Sequence, residues 1–157
     1  MNRPPPREAF TKKEWNLIQR LDTPAKVQHW LTLMPYNWEK QGGTMRSFRE
    51  VVKRNEAHCL EAAVAAAVVL EQHGYPPLLF DIESIDLLDH VIFVFQEKGK
   101  WGSIAHSRDI GLPGRKGGCE ATVKASPYYF GDGGKKPAKY SLRSRSFGSY
   151  FRRISLN

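Results

Sequence analysis

Eleven consecutive residues, Leu60 to Leu70 (LEAAVAAAVVL), carry a single charged side chain, Glu61, and are otherwise apolar. Wound into a helix, this run is apolar on nearly every face. Such a helix is stable only when other elements cover it all round. Its small alanines let those elements approach closely. The run gives way to His73-Gly74-Tyr75-Pro76-Pro77, where Gly74 suits the left-handed residue that closes a helix and the prolines cannot continue it. The chain must therefore build its fold around one central helix. At 157 residues it is long enough for one domain with a hydrophobic core. No apolar run approaches the roughly 20 residues that span a bilayer, so no membrane association is expected.

The segments before the central helix read as helical. Thr11-Lys12-Lys13-Glu14 has the pattern of a capping box, followed by Trp15, Ile18 and Leu21 at helical spacing. Thr23-Pro24 starts a second helix, with proline at its first position and Val27, Trp30, Leu31 and Met34 as its apolar set. Ser47-Phe48-Arg49-Glu50 opens a third as another capping box, after a loop holding Gly42-Gly43. The segments after the central helix read as sheet. Pro77 to Ile82 is a strand, Asp81 to Asp89 with its four acids a solvated turn, and His90 to Phe95 a strand buried on both faces. Lys98-Gly99 forms the tip of a hairpin that returns through Trp101 to Ala105. Helices succeeded by an antiparallel sheet define an α+β fold. Trp15, Trp30 and Trp101 are expected in the core; for Trp38 the core is the plainer reading, and lining a functional site or donating its N–H to an oxyanion the alternative.

Charge divides the chain differently. Residues 1–114 hold 14 basic and 14 acidic side chains, which cancel, while residues 115–157 hold 10 basic and 2 acidic ones, so the net +8 lies in the tail. Three parts are expected: a flexible Pro-rich arm (1–10), a core (11–114) and a basic, low-periodicity tail (115–157). In the tail Tyr128, Tyr129, Tyr140 and Phe147 interleave with Lys and Arg, a pattern that suits weak nucleic-acid or acidic-partner contact; a solvated tail is the plainer reading. The abrupt change of composition near Arg115 also fits a frameshifted or divergent end, without ordered structure. Two cysteines are no disulfide framework, and the N-terminal residues lack the apolar segment of a signal peptide, so a cytoplasmic protein is expected. Paired ligands at zinc spacing are absent, and neither a metal nor a cofactor is expected.

Cys59 stands at the first turn of the central helix, where the partial positive charge of the helix end favours a thiolate. His90, at the start of a later strand, is a candidate base for it. With Lys98-Gly99 as a two-residue turn, Glu97 faces Lys100 and, counting back, His90 faces Ser107, with Cβ atoms about 5 Å apart. Ser107 and, two residues on, Asp109 are thus the candidates to orient the His90 ring. In the same register His106 faces away from His90. His58 reads as a cap or surface residue. The ordinary alternative for Cys59 is a small core residue, and for His90 a satisfied strand-end histidine.

In order and spacing, His58-Cys59-Leu60-Glu61-Ala62-Ala63, His73-Gly74-Tyr75-Pro76-Pro77, Asp89-His90-Val91-Ile92-Phe93-Val94 and Lys100-Trp101-Gly102 resemble the transglutaminase-like superfamily, which shares the papain-like cysteine-peptidase core. The likeness extends to small uncharacterised bacterial members and runs from about Thr23 to Gly114. It implies a helical N-terminal half and a central buried helix packed on a small antiparallel sheet. It further implies a Cys–His–acid triad with Cys59 as nucleophile and His90 as base, acting on a protein or peptide amide through a thioester. The orienting acid of such sites comes a few residues after the tryptophan. Here Ile104, Ala105 and His106 stand in that place. A catalytically degenerate binding module on the same fold is the alternative.

Overall fold

The computed structural model describes residues 3–84, 90–108 and 140–143. Four helices, α1 (Lys12–Arg20), α2 (Pro24–Thr32), α3 (Phe48–Arg54) and α4 (Cys59–Glu71), precede strands β1 (Leu78–Ser84), β2 (His90–Glu97) and β3 (Lys100–Ile104). A further strand, β4 (Tyr140–Arg143), comes from the basic tail and pairs with β1. The sheet is antiparallel in the order β3-β2-β1-β4, and α4 lies against β2 and β1. The fold is α+β, with a buried helix against a small antiparallel sheet.

The helix starts arise from local chemistry. Thr11 accepts from the Glu14 N–H while Glu14 reaches back to the Thr11 N–H at 2.7 Å, completing the capping box of α1. This places Glu14 in the interior, where the Arg49 guanidinium meets it at 2.8 and 3.2 Å. Thr23 caps α2 with Pro24 behind it. Ser47 caps α3, but Glu50 does not complete the expected box; its carboxylate turns outward to Arg54 at 2.9 Å and Lys53 at 3.6 Å. Gly74, at φ 85°, closes α4: its N–H bonds the Glu71 carbonyl and the Tyr75 N–H bonds that of Leu70. Only a residue without a Cβ adopts that φ without strain.

Every residue of α4 from Glu61 to Leu70 is buried, as the apolar run requires. Ile18, Val27, Leu31, Phe48 and Val51 of the other helices cover it on one side, and Phe93, Phe95 and Ile104 of the sheet on the other. Each fully buried Val, Leu, Ile or Phe among these contributes roughly 1.5–3 kcal/mol. The first residues also join in. Within the Pro-rich segment expected as an arm, Phe10 is buried and a few further residues touch the helices, while most side chains of residues 3–10 are exposed. Phe10 packs on Trp15 and Phe48, Arg7 stacks over Trp15 at 5.2 Å, and the Pro5 carbonyl accepts from Gln72 at 3.0 Å. Phe10 supplies the apolar surface that the prolines lack.

The β2–β3 hairpin has the expected register, Glu97 opposite Lys100 through Phe93 opposite Ile104, with Lys98 at φ 50° and Gly99 at φ 77° in the turn. Beyond Ile104 the ladder ends. The Gln28 side-chain amide of α2 brackets Ala105, donating to its carbonyl at 2.9 Å and accepting from its N–H at 3.0 Å. This covers the edge of β3 where it would otherwise be open.

Candidate active site

The start of α4 and the start of β2 meet at one end of the helix–sheet layer. Cys59 is half-buried there, and its Sγ lies within hydrogen-bonding reach of the His58 ring, the His90 ring and the Val91 backbone N–H. Burial opposes ionisation of the thiol. The hydrogen bonds from His58, His90 and Val91, with the charge of His90, outweigh it and bring the Cys59 pKa down to about 6. Cys59 and His90, paired on sequence grounds, are thus brought together by two elements about thirty residues apart.

The His90 ring has an open side. Its Nε2 is buried and has no hydrogen-bond partner among the described residues, Ser107 included. The pairing of His90 with Ser107 extrapolates a ladder that stops three residues short of Ser107. Asp109, the other candidate for this side of the ring, lies outside the described residues.

His58 plays a part that the sequence pattern does not assign to it. It is the N-cap of α4, but its side chain is buried, not on the surface. Nδ1 accepts from the Leu60 N–H at 3.3 Å. Nε2 faces the Thr44 carbonyl at 3.0 Å, Glu61 Oε1 at 3.4 Å and Glu39 Oε1 at 3.7 Å. Burial works against protonation. The hydrogen bonds to Cys59 and Thr44 and the charges of Glu61 and Cys59 overcome it and lift the His58 pKa to about 9. Glu61, 1 % exposed, is held by the His58 N–H (3.1 Å), the Arg46 N–H (2.9 Å), Thr44 Oγ1 (2.7 Å) and Asn37 Nδ2 (3.2 Å). Burial raises its pKa, but these donors and the charge of His58 hold it below the usual range. A sequence signal exists: His58 and Glu61 have capping-box spacing, with histidine in the cap.

Tyr36 and His106 complete the surroundings. A parallel bridge between Tyr36 and Ala57, with the Asn37 N–H on the Ala57 carbonyl at 2.9 Å, lays the segment after α2 beside the start of α4. The Tyr36 hydroxyl there meets both the Cys59 N–H and Sγ; burial and the nearby thiolate push its pKa up to about 12. The Trp38 ring packs edge-on to Tyr36 at 5.2 Å and is 59 % exposed, so Trp38 borders the site instead of entering the core. The His106 ring lies 5.4 Å from that of Tyr36 and bonds the Pro35 carbonyl. Because β3 has ended, His106 turns inward, and the charge of His90 reaches it. Burial and then that charge lower its pKa, against the Pro35 carbonyl. Its Nε2, like that of His90, is buried and unpartnered. No local pattern marks Tyr36 or His106, since long-range packing brings them in.

Among the described residues, no group of three His, Cys, Asp or Glu side chains is arranged to hold a metal ion, and no helix is long and apolar enough to cross a membrane. Compared with known proteins, the chain matches no family model and no curated protein sequence.

Proposed function

We propose that the protein is a thiol acyltransferase or amide hydrolase of transglutaminase-like or cysteine-peptidase type, with Cys59 as nucleophile and His90 as acid–base. The observation that carries this reading is the meeting of Cys59, at the start of the central helix, with the His90 ring, at the start of β2; the donors around the sulfur lower the pKa of the thiol in keeping with it. The order of a cysteine at the start of the central helix, a histidine at the start of a strand and a tryptophan-led return strand supports a papain-like arrangement of the core. The Cys59 thiolate attacks the carbonyl carbon of a protein or peptide amide. The S–C bond forms, the charge on oxygen is met by the Cys59 N–H, and His90 gives its proton to the departing amine as the C–N bond breaks. Water or a second amine then attacks the thioester, His90 takes its proton, and the thiolate leaves.

The test is to incubate the protein with glutamine-containing peptides and a fluorescent primary amine, quench in acid and look by mass spectrometry for a hydroxylamine-labile adduct on Cys59. In parallel, iodoacetamide at pH 6–7 should label Cys59 much faster than Cys119. Equally slow labelling of both cysteines would remove the activated thiol on which the reading depends. The open Nε2 of His90 favours a second reading, a degenerate member that binds peptides without turning them over. Fast labelling of Cys59 with peptide binding and no adduct would select it.

A further inference from the structure

The return strand β3 carries no acid, but a buried carboxylate, Glu61, lies behind the other histidine beside Cys59, His58. We infer that Glu61 and His58 form a carboxylate–imidazolium pair that serves as the fixed counter-charge of the Cys59 thiolate, leaving His90 free to exchange protons with the substrate. The inference rests on the proposed thiol chemistry and deepens it. It stands on the placement of His58 between two partners. Nε2 is fixed by the Thr44 carbonyl at 3.0 Å and by the carboxylates of Glu61 at 3.4 Å and Glu39 at 3.7 Å. That leaves Nδ1 for the cysteine side, where one atom has two exclusive uses. In the neutral ring it accepts from the Leu60 N–H. In the imidazolium it carries a proton and donates to Sγ. A buried carboxylate behind Nε2 favours the second state, as the acid of a triad does.

The charged groups around the pair are few. Glu39 and Arg46 come from the loop between α2 and α3, with Arg46 Nε 3.9 Å from Glu61 Oε1 and its Nη1 3.0 Å from Glu56. Glu61 and Cys59 come from α4 itself, His90 of β2 also interacts with the sulfur, and Tyr36, from the segment after α2, adjoins Cys59. Arg46 therefore draws on the same carboxylate as His58. The imidazolium keeps its place because the Glu61 oxygens accept from several donors at once. Glu61 acts through His58 and is a positioning residue. His58 touches the reacting sulfur.

His58→Asn separates the cap from the charge, because asparagine is among the best N-cap residues and its side-chain oxygen can still accept from the Leu60 N–H. The experiment tracks the iodoacetamide rate of Cys59 against pH in the full chain, with circular dichroism to confirm folding. The wild-type midpoint should lie near 6, and His58→Asn should raise it by about one unit or more, which cuts the rate at pH 6.5 several-fold and leaves it unchanged near pH 10. Glu61→Gln should shift the midpoint in the same direction by a smaller amount, and it decides the matter if His58→Asn does not fold. A low wild-type midpoint that moves by less than about half a unit in the folded variant overturns the His58–Glu61 pair and leaves the thiol reading standing. A wild-type midpoint like that of an ordinary thiol overturns both.

Discussion

The hydroxyl of Tyr36 meets the backbone N–H of Cys59, the group that in the proposed reaction receives the carbonyl oxygen attacked by the sulfur beside it. On that proposal Tyr36 competes, in the resting state, for the donor that would meet the developing negative charge. One hydrogen bond of this kind contributes about 1 kcal/mol net, so displacing it is a modest step.

Replacing Tyr36 with phenylalanine removes this competitor and keeps the ring that packs on Trp38 and His106. A peptide aldehyde, whose hemithioacetal oxygen needs the Cys59 N–H, should bind Tyr36→Phe roughly fivefold more tightly than the wild type, the equivalent of about 1 kcal/mol. Inhibition constants for the two proteins check it. Weaker binding to the variant would make the hydroxyl a donor to the oxyanion.

His90→Ala should separate leaving-group chemistry from thiol chemistry. Amide substrates need a proton delivered to the departing nitrogen, and losing a placed acid–base group lowers such rates by roughly 10²–10⁴. A p-nitrophenyl ester, whose leaving group departs as a stable anion, should lose far less. Single-turnover acylation with both substrates makes the comparison. Equal losses on amide and ester would assign His90 to holding the thiolate alone.

Much of this arrangement is legible in the chain. The central helix shows itself through an apolar run without a polar face, and Cys59 and His90 through their places at element starts. The hairpin register is set by Lys98-Gly99, because a two-residue turn fixes which residues face each other. Extending it to Ser107 fails because the ladder's length depends on the partner edge, and Gln28, from a helix distant in sequence, takes Ala105. Size favours the core for Trp38 over the alternative of lining the site, and the structure shows the alternative, because the loop between α2 and α3 is shaped by the polar contacts of Asn37, Thr44 and Arg46 around Glu61. The cap reading of His58 holds, but its burial beside Cys59 is not legible, because the Thr44 and Glu39 contacts that enclose its ring come from a loop distant in sequence.

Gln28 offers a test of how the hairpin is anchored to the helices. Its amide makes both bonds to Ala105, and its removal leaves the Ala105 N–H and carbonyl at a partly buried edge without these partners. Gln28→Ala should lower stability by about 1–3 kcal/mol. It should also speed hydrogen exchange at the Ala105 amide more than at Phe93, whose strand is paired on both sides. Urea unfolding and amide exchange measure the two effects. Uniform acceleration across the sheet would mean that Gln28 acts only on global stability.

Glu61 carries the largest expected loss. It is fully buried, and its two oxygens accept from two backbone and two side-chain donors, so Glu61→Ala leaves those donors unmet and the His58 ring without its carboxylate. The cost expected for breaking a buried ionic arrangement from one side is about 3–5 kcal/mol. Glu61→Gln keeps one acceptor oxygen but turns an amide NH₂ toward donors, and should cost about 1–3 kcal/mol. The carboxyl is held below its ordinary value in the folded protein, so it binds protons more readily when unfolded. Its contribution is therefore complete above the unfolded value near 4.5 and is lost as pH falls through the lower folded value. The difference in unfolding free energy between the wild type and Glu61→Gln should accordingly shrink as pH drops from 6 to 3. Urea unfolding at a series of pH values measures it, and a difference that stays constant over that range would mean that Glu61 is not ionised in the folded protein.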